Sequence, residues 1–217
     1  MNTDYEQILI NYLNHHEYTI ISGKDATKVF KQNLGTFEDI CGEIIFDTLE
    51  DFFVTNAKNY VKLILLNRDN EVTSIFGGEI NKDNILESSY TCSKEIPKGG
   101  VLLRFYALLT ANDNNPRVTK MTGSIAGAIP PIQKEDSEET AQKKRDALVT
   151  YHIKNGANLY DNDSKFEYNI DGAKSKIPEL FIINAGGKKK STKKRRHKKS
   201  NSKKYKRITR KTKRTRN

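Results

Sequence analysis

Residues 85–109 read ILESSYTCSKEIPKGGVLLRFYALL, and this stretch decides the fold class. Residues 85–92 have the composition of a strand, and residues 101–109 form an apolar run typical of a buried helix. The glycine turn between them lets backbone N–H groups approach a phosphate, and the start of the helix adds a partial positive charge. By itself the pattern is more often a plain turn, and a phosphate-binding turn is the functional alternative. Its candidate residues are Lys98, Gly99, Gly100 and Val101.

The residues on either side predict one globular domain of helices and strands. Apolar residues at spacings of three and four predict a first helix from residue 5 to about 15–16 and further helices over 25–30, 36–53 and 136–155. The third helix carries a capping-box signature at Thr36 and Asp39. β-rich runs predict strands at 18–22, 60–66, 72–80, within 118–132, 165–170 and 180–184. We therefore predict the α/β (α+β) class, with a mixed, mostly antiparallel sheet flanked by helices.

Charge divides the chain into two unlike parts. Residues 188–217 contain 18 Lys and Arg and no acid, whereas residues 1–187 contain 20 Lys and Arg against 27 Asp and Glu. The formal net charge of +11 therefore sums a mildly acidic domain and a strongly basic tail. A segment so highly charged and so poor in apolar residues does not fold alone. We predict a domain over 1–184, a glycine hinge over 185–187 and a disordered polybasic tail over 188–217.

The composition of the tail favours nucleic acid as its partner. Phosphates that bind Lys and Arg release counterions, and a disordered cationic chain reads no base edges, so binding to DNA or RNA should be non-specific. A nuclear or nucleolar import address and adhesion to anionic lipid are the alternatives. The candidate contacts are Lys193, Lys194, Arg195, Arg196, Lys198, Lys199, Lys203, Lys204, Lys206, Arg207, Arg210 and Lys211.

The order of elements around the glycine turn resembles that of the GNAT acyltransferase superfamily. Residues 95–103 stand where that family has [QR]-x-x-G-x-[GA], here with adjacent glycines and with Glu95 in the first position. Residues 152–157 resemble a later Tyr-x-x-x-Gly-Phe string, with His152 in place of the Tyr and Tyr151 before it. The resemblance covers residues 18–183. It implies a V-shaped cleft in which the loop amides hold the pyrophosphate of acetyl-CoA.

This resemblance implies an acetyl-CoA-dependent N-acyltransferase, in which a substrate amine attacks the bound thioester. Such a reaction needs a base for the ammonium proton and an acid for the leaving thiolate. Tyr151 or His152 is the candidate acid. Glu79, Glu87 or a chain of waters is the candidate base. The ordinary alternatives are core packing for Tyr151, an exposed helix end for His152 and solvent-facing strand positions for the two glutamates.

Composition also bears on redox state, metals and location. Cys41 and Cys92 are far apart and no CxxC or Cys/His cluster exists, so we expect two reduced, buried thiols and no metal site.

The N-terminus lacks a signal-peptide pattern, and no run approaches the ~20 apolar residues of a membrane span. We therefore expect an intracellular protein that is not secreted. The tail resembles those on proteins of giant nucleocytoplasmic DNA viruses, which implies a nuclear or virion-associated protein.

Two functions other than catalysis fit the same sequence. One is a non-enzymatic packaging protein, which predicts a filled cleft and a tail that binds nucleic acid without any effect of acyl-CoA. The other is an adaptor whose domain binds another protein. An adaptor predicts an exposed apolar patch on the domain, with the tail serving as an address.

Overall fold

The computed structural model describes residues 4–94, 98–125, 136–162 and 164–183, apart from the side chains of residues 43–47. Three parts of the predicted chain lie outside these ranges: residues 95–97 of the turn region, residues 126–132 of the run 118–132, and the hinge and tail. The boundaries predicted for the domain, hinge and tail therefore stay predictions.

Within these described ranges, seven strands form one mixed sheet with the order β1-β2-β3-β4-β5-β7-β6. All neighbouring strands are antiparallel except β4 and β5, which run parallel because a helix crosses over between them. The predicted fold class is confirmed. The strands are β1 (Thr19–Ser22), β2 (Tyr60–Leu66), β3 (Val72–Ile80), β4 (Ile85–Ser93), β5 (Lys120–Ser124), β6 (Asn158–Tyr160) and β7 (Lys165–Asn169).

Seven helices accompany this sheet in the described part of the chain. They are α1 (Tyr5–His15), α2 (Gly23–Gln32), α3 (Leu34–Cys41), α4 (Glu43–Val54), α5 (Gly99–Asn114), α6 (Glu138–Lys154) and α7 (Ile170–Phe181). Two apolar cores lie on opposite faces of the sheet, one against α1, α5 and α7 and the other against α2, α3 and α4. Ile64 and Leu65, which are neighbours in β2, belong to different cores, as the two-residue period of a strand requires.

Helix α5 lies at the centre of the first core because it is apolar around almost its whole circumference. Val101, Leu102, Leu103 and Phe105 in its first two turns are at most 1% exposed. Burying a side chain of this size stabilises the fold by about 1.5–3 kcal/mol. The helix is therefore held firmly, with its first turn beside the end of β4. Arg104 is the one charged residue in this buried run.

A bulge in β4 decides which side chains face α5. Residues 77–78 of β3 pair with three residues of β4, Ser88–Tyr90, so the strand contains one extra residue. An extra residue shifts the alternation of side chains by one position. Thr91 consequently lies against the start of α5, whereas Cys92 reaches Cys41 of α3 on the opposite face.

The strands β4 and β5 separate just before Thr91. Their pairing ends at Ser88 and Gly123, although β4 continues to pair with β3 as far as Ser93. Gly123 is needed at this position because a Cβ there would lie 2.6 Å from the Phe166 ring and 2.9 Å from the Ser88 carbonyl oxygen. Phe166 therefore packs directly against the last residues that the two strands share.

The predicted helix over 36–53 is in fact two helices, α3 and α4. Gly42 separates them with φ +84°, a backbone conformation that residues other than glycine rarely adopt. The capping box predicted at Thr36 and Asp39 is wrong, because both residues lie inside α3, whose N-cap is Asn33. The apolar spacing continues across the break, which is why the two helices look like one in the sequence.

The cysteines form a disulfide, which corrects the expectation of two reduced thiols. Cys41 and Cys92 are joined with their Cα atoms 5.2 Å apart, so the bond links the end of α3 to β4. The two cysteines are 51 positions apart in the sequence, and nothing in the residues between them indicated this pairing. The contact arises from the bulge in β4, because the shifted alternation places Cys92 on the face that α3 covers.

The strand predicted over 180–184 is wrong. Residues 170–181 form α7, which begins at an N-cap where the Asn169 side chain accepts a hydrogen bond from the Gly172 N–H. Gly172 and Pro178 are unfavourable inside a helix, and they hide its apolar stripe in the sequence. That stripe is buried against the first core and consists of Ile170, Ala173, Ile177 and Phe181.

Candidate active site

The first turn of α5 is a candidate anion site. Its N-cap, Lys98, makes no side-chain hydrogen bond to the helix start, and the Leu102 N–H donates to the Lys98 carbonyl at 2.9 Å. The N–H groups of Gly99, Gly100 and Val101 precede that bond, so they have no partner within the helix. They also lie at the positive end of the helix dipole. This arrangement is suited to the pyrophosphate-binding role predicted from the sequence.

Three side chains from three different elements converge on Gly100. A Cβ at Gly100 would lie 3.4 Å from Cγ2 of Thr91, 3.4 Å from Oη of Tyr151 and 4.0 Å from Nη1 of Arg104. The glycine therefore leaves a small cradle that a single methyl group would fill. Sequence reasoning selected Gly100 and Tyr151. It missed Thr91, which depends on the bulge, and Arg104, whose charge within an apolar helix was the available signal.

The Tyr151 side chain extends from the first core to the cradle at Gly100. Its ring packs against the first core and is half-buried, while its hydroxyl reaches the cradle at Gly100. The Arg104 guanidinium lies 5.9 Å from the centroid of the ring. Tyr151 is therefore the predicted acid that the structure brings to the start of α5.

The Lys98 ammonium contacts the last turn of α7. Its Nζ donates a hydrogen bond to the Leu180 carbonyl and lies 5.7 Å from the centroid of the Phe181 ring. Both partners belong to the last turn of α7, whose dipole is negative there. The ammonium thus joins the start of α5 to the end of α7, and the role of Lys98 as a phosphate contact stays a prediction.

His152 is buried, which corrects the expectation of an exposed helix end. It is 1% exposed, stacks on Phe166 with ring centroids 4.3 Å apart, and places Nδ1 3.2 Å from Oη of Tyr168. Burial, assisted by the nearby Arg104 charge, lowers the pKa of His152 to about 3. Burial also raises the pKa of Tyr168. Both rings are therefore neutral at pH 7, and His152 has neither the exposure nor the proton that a general acid needs.

Acidification should destabilise the fold through His152. Its pKa is about 3 in the folded chain against an ordinary value of 6.5, so below pH 6.5 the unfolded chain binds a proton that the folded chain excludes. The stability present above pH 6.5 is thus lost as the pH falls towards 3, and the loss between pH 7 and pH 5 should be about 2 kcal/mol. Urea unfolding of wild type and His152→Gln at both pH values measures it.

The variant should lose correspondingly less stability than wild type over this interval. His15→Gln, at an exposed histidine, is the matched control and should follow wild type. Equal pH dependence in wild type and His152→Gln would contradict the buried, neutral state of His152.

The two candidate bases lie on the other face of the sheet. Glu79 and Glu87 are cross-strand partners in β3 and β4. The next pair, Ile80 and Leu86, packs into the core that contains α5, so the two glutamates lie on the opposite face of the sheet. Glu79 accepts a hydrogen bond from Asn59 Nδ2 at 2.7 Å, and the exposed Glu87 accepts one from Asn81 Nδ2 at 2.5 Å.

The structure therefore does not bring the two glutamates together with Tyr151. Glu87 nevertheless borders the place where β4 and β5 part, because it precedes Ser88, the last residue of β4 paired with β5.

Comparison with known proteins finds solved structures whose fold resembles that of this chain. An acetyltransferase of the GNAT family from Staphylococcus aureus superposes with a TM-score of 0.47 at 10% identity, over 70% of this chain and 99% of that one. A variant of the spermidine N-acetyltransferase of Vibrio cholerae gives 0.46 at 10% identity, over 72% and 95%. Tetrahymena GCN5 gives 0.45 at 11% identity, over 70% and 95%.

Neither of the sequence comparisons gives a match. No protein-family model matches the chain, and no curated protein matches its sequence. At such low identities and scores, the likeness to solved structures assigns neither activity nor ligand to this chain.

Among the described residues, no helix is both long and apolar enough to cross a membrane. The same part of the chain contains no group of three or more His, Cys, Asp or Glu side chains placed to hold a metal ion.

Proposed function

We propose that this chain binds an acyl-CoA at the first turn of α5 and transfers the acyl group to an amine, as an acetyl-CoA-dependent N-acyltransferase does. The observation that supports this is the convergence of Thr91, Arg104 and Tyr151 on Gly100, beside the point where β4 and β5 part. Free N–H donors at a helix start suit a pyrophosphate, and a guanidinium adds positive charge at the same place. The residues present thus fit an acyl-CoA.

Tyr151 is the proposed general acid. An acyl-CoA would supply a thioester, whose C–S bond breaks as the C–N bond to the amine forms. The Tyr151 hydroxyl gives its proton to the leaving sulfur, and the tyrosinate regains, through water, the proton that the attacking nitrogen loses as the amide forms. The Arg104 guanidinium, 5.9 Å from the ring, stabilises the tyrosinate that forms in between. His152 packs edge-on against the Tyr151 ring and stabilises its position.

Glu87 is the proposed base, acting from the opposite face of the sheet. It borders the gap between β4 and β5, so an amine that enters from that face meets its carboxylate. The carboxylate takes the ammonium proton, and the neutral amine then attacks the carbonyl carbon. Glu79 opposite adds a second negative charge, which attracts a cationic amine to the same place.

Product formation tests this proposal. The full chain is incubated with acetyl-CoA and a panel of amines that includes spermidine and a lysine peptide. Release of free CoA and the mass of each amine are followed. We expect acetylation of at least one amine at a rate proportional to the amount of protein. Mass spectrometry of the chain itself separates this reaction from acetylation of its own tail lysines. Absence of any acetylated amine would contradict the enzymatic proposal.

A non-enzymatic packaging protein is the second candidate. One observation favours it: the side chains of Arg104, Tyr151 and Phe166 pack closely beside the start of α5, as in a filled cleft. On this alternative, acetyl-CoA neither binds nor reacts, while nucleic acid still binds to the tail. The amine assay and a nucleic-acid binding assay on the same sample therefore separate the two candidates.

For the tail we propose non-specific binding of DNA or RNA, which would tether the domain to nucleic acid in a nucleus or a virion. The support is its charge, 18 Lys and Arg without one acid in residues 188–217. Ser, Thr and Asn separate its basic groups and Tyr205 is its one aromatic residue, so it offers neither a stacking platform nor an amphipathic helix. Phosphate neutralisation is the chemistry that remains.

A further inference from the structure

The disulfide between Cys41 and Cys92 lies one residue from the cradle at Gly100. Thr91, which borders the cradle, and Cys92 are neighbours in β4 whose side chains take opposite faces of the sheet. Cys92 is bonded to the last residue of α3, whereas Cγ2 of Thr91 would lie 3.4 Å from a Cβ at Gly100. The same short stretch of β4 is therefore tied covalently to α3 and packed against α5.

This end of β4 has a neighbouring strand on one side only. Beyond Ser88 it no longer pairs with β5, and residues 90–93 pair with β3 alone. The hydroxyls of Ser74 and Ser93 add a hydrogen bond of 2.8 Å between the same two strands. Strand ends with pairing on one side are among the parts of a fold that open most easily. The disulfide therefore restrains a segment whose other side faces the gap between β4 and β5.

The bond also fixes which face each side chain of this segment takes. The bulge at Ser88–Tyr90 adds one residue to β4, and a bulge that shifts or disappears exchanges the two faces for the residues it passes. With Cys92 bonded to α3 on one face, Thr91 is held on the face of α5. Without the bond the bulge is free to shift, and Thr91 then leaves the cradle.

The bond is open to thiol–disulfide exchange. Neither cysteine is fully buried, which gives a small thiol access, and the chain has no third cysteine that competes for the bond. The thiolate of a dithiol reductant attacks one sulfur and forms a mixed disulfide, which its second thiol then releases. Cys41 and Cys92 take up two electrons and two protons and become thiols, while the dithiol is oxidised to a disulfide.

We propose that the disulfide is a redox switch for the candidate site. The oxidised chain holds Thr91 in the cradle and binds acyl-CoA, and reduction by a dithiol releases the end of β4 and weakens that binding. The effect on acyl-CoA rests on the proposed function, whereas the release of β4 does not. Phe37 of α3 is 0% exposed in the core against α2, α3 and α4, so the helix stays packed after reduction.

Nuclear magnetic resonance of the full chain, oxidised and after treatment with dithiothreitol, tests the release of β4. Titration of thiols in denaturant verifies each state, with none or two per chain. In the oxidised chain we expect a cross-peak between the Thr91 methyl group and a Gly100 α-proton, and it should disappear on reduction. A cross-peak between a Gly123 α-proton and the Phe166 ring, which are also in contact, is the internal control and should persist in both states.

Calorimetric titration of acetyl-CoA tests the consequence for the ligand. Reduced wild type should bind about tenfold more weakly than oxidised wild type, and reoxidation should restore the affinity. The double variant Cys41→Ser, Cys92→Ser should bind like reduced wild type with or without dithiothreitol, which excludes an effect of the reductant itself. Since the bond links positions 51 apart, its loss should lower the melting temperature by about 5–15 °C, and measurements near 20 °C keep every sample folded.

Three results would overturn the inference. They are two free thiols in chain prepared without reductant, a Thr91–Gly100 cross-peak that survives reduction, and equal affinity of the two states for acetyl-CoA. Absence of acetyl-CoA binding in both states would instead refute the proposed function, and the cross-peak alone would then decide whether reduction releases β4.

Discussion

Replacing Tyr151 with Phe should lower the rate of acyl transfer about 10²- to 10³-fold and leave the melting temperature almost unchanged. The expected loss is that of a general acid, since the variant keeps the ring and removes only the hydroxyl. The ring packs against the first core, whereas the hydroxyl reaches the cradle at Gly100. Turnover at saturating acyl-CoA and amine measures the effect. The affinity for acyl-CoA should change little.

Tyr160→Phe is the matched control for this substitution. Tyr160 is in β6, is 43% exposed and takes no part in the cradle, so its variant should transfer acyl groups at the wild-type rate. A Tyr151→Phe variant that retains more than about half of the wild-type turnover would show that the proton comes from another donor.

Ending the chain at Gly187 should weaken binding to duplex DNA about 10³- to 10⁵-fold near 0.05 M salt. Each phosphate neutralised by the tail contributes about 0.9 to the slope of log affinity against log salt, so engagement of about 8 to 10 cations gives a slope of about −7 to −9. The remaining residues carry 20 Lys and Arg against 27 acids, and they should be repelled by DNA. Fluorescence anisotropy at several salt concentrations gives both the affinity and the slope.

A scrambled tail of the same composition is the control for sequence readout. It should bind duplexes of different sequence as tightly as wild type, because charge alone is engaged. Duplex affinity that survives removal of residues 188–217 would place the nucleic-acid site on the domain. A strong preference of the natural tail for one base sequence would also contradict the proposal.

The fold was predictable where local signals and tertiary contacts agree. The hairpin of β2 and β3 follows from two β-rich runs around a polar turn, and α5 follows from an apolar run behind two glycines. Failures arose where distant contacts override local signals. Pro178 and Gly172 suggest the end of a helix, but burial of Ile177 and Phe181 holds α7 together across them.

The candidate site was predictable only in part, for the same physical reason. Gly100 and Tyr151 belong to recognisable strings. His152 is at the end of α6 and looked exposed, yet Phe166 and Tyr168, both from β7, cover it. In the sequence, Arg104 looks like an ordinary surface charge. Its burial, without a hydrogen-bond partner for Nε and Nη1 among the described residues, is visible only in the folded chain.

The most direct test of the acyl-CoA site is calorimetric titration of acetyl-CoA into the full chain, compared with Gly100→Ala. Alanine suits a helix and its methyl group meets Thr91 and Tyr151 at ordinary contact distances, so the variant should fold. That methyl group fills the cradle, and we expect binding at least tenfold weaker than in wild type. Gly35→Ala, in a helix with open space around the glycine, is the control and should bind normally. Identical binding by all three proteins, or binding by none, would contradict an acyl-CoA site at the start of α5.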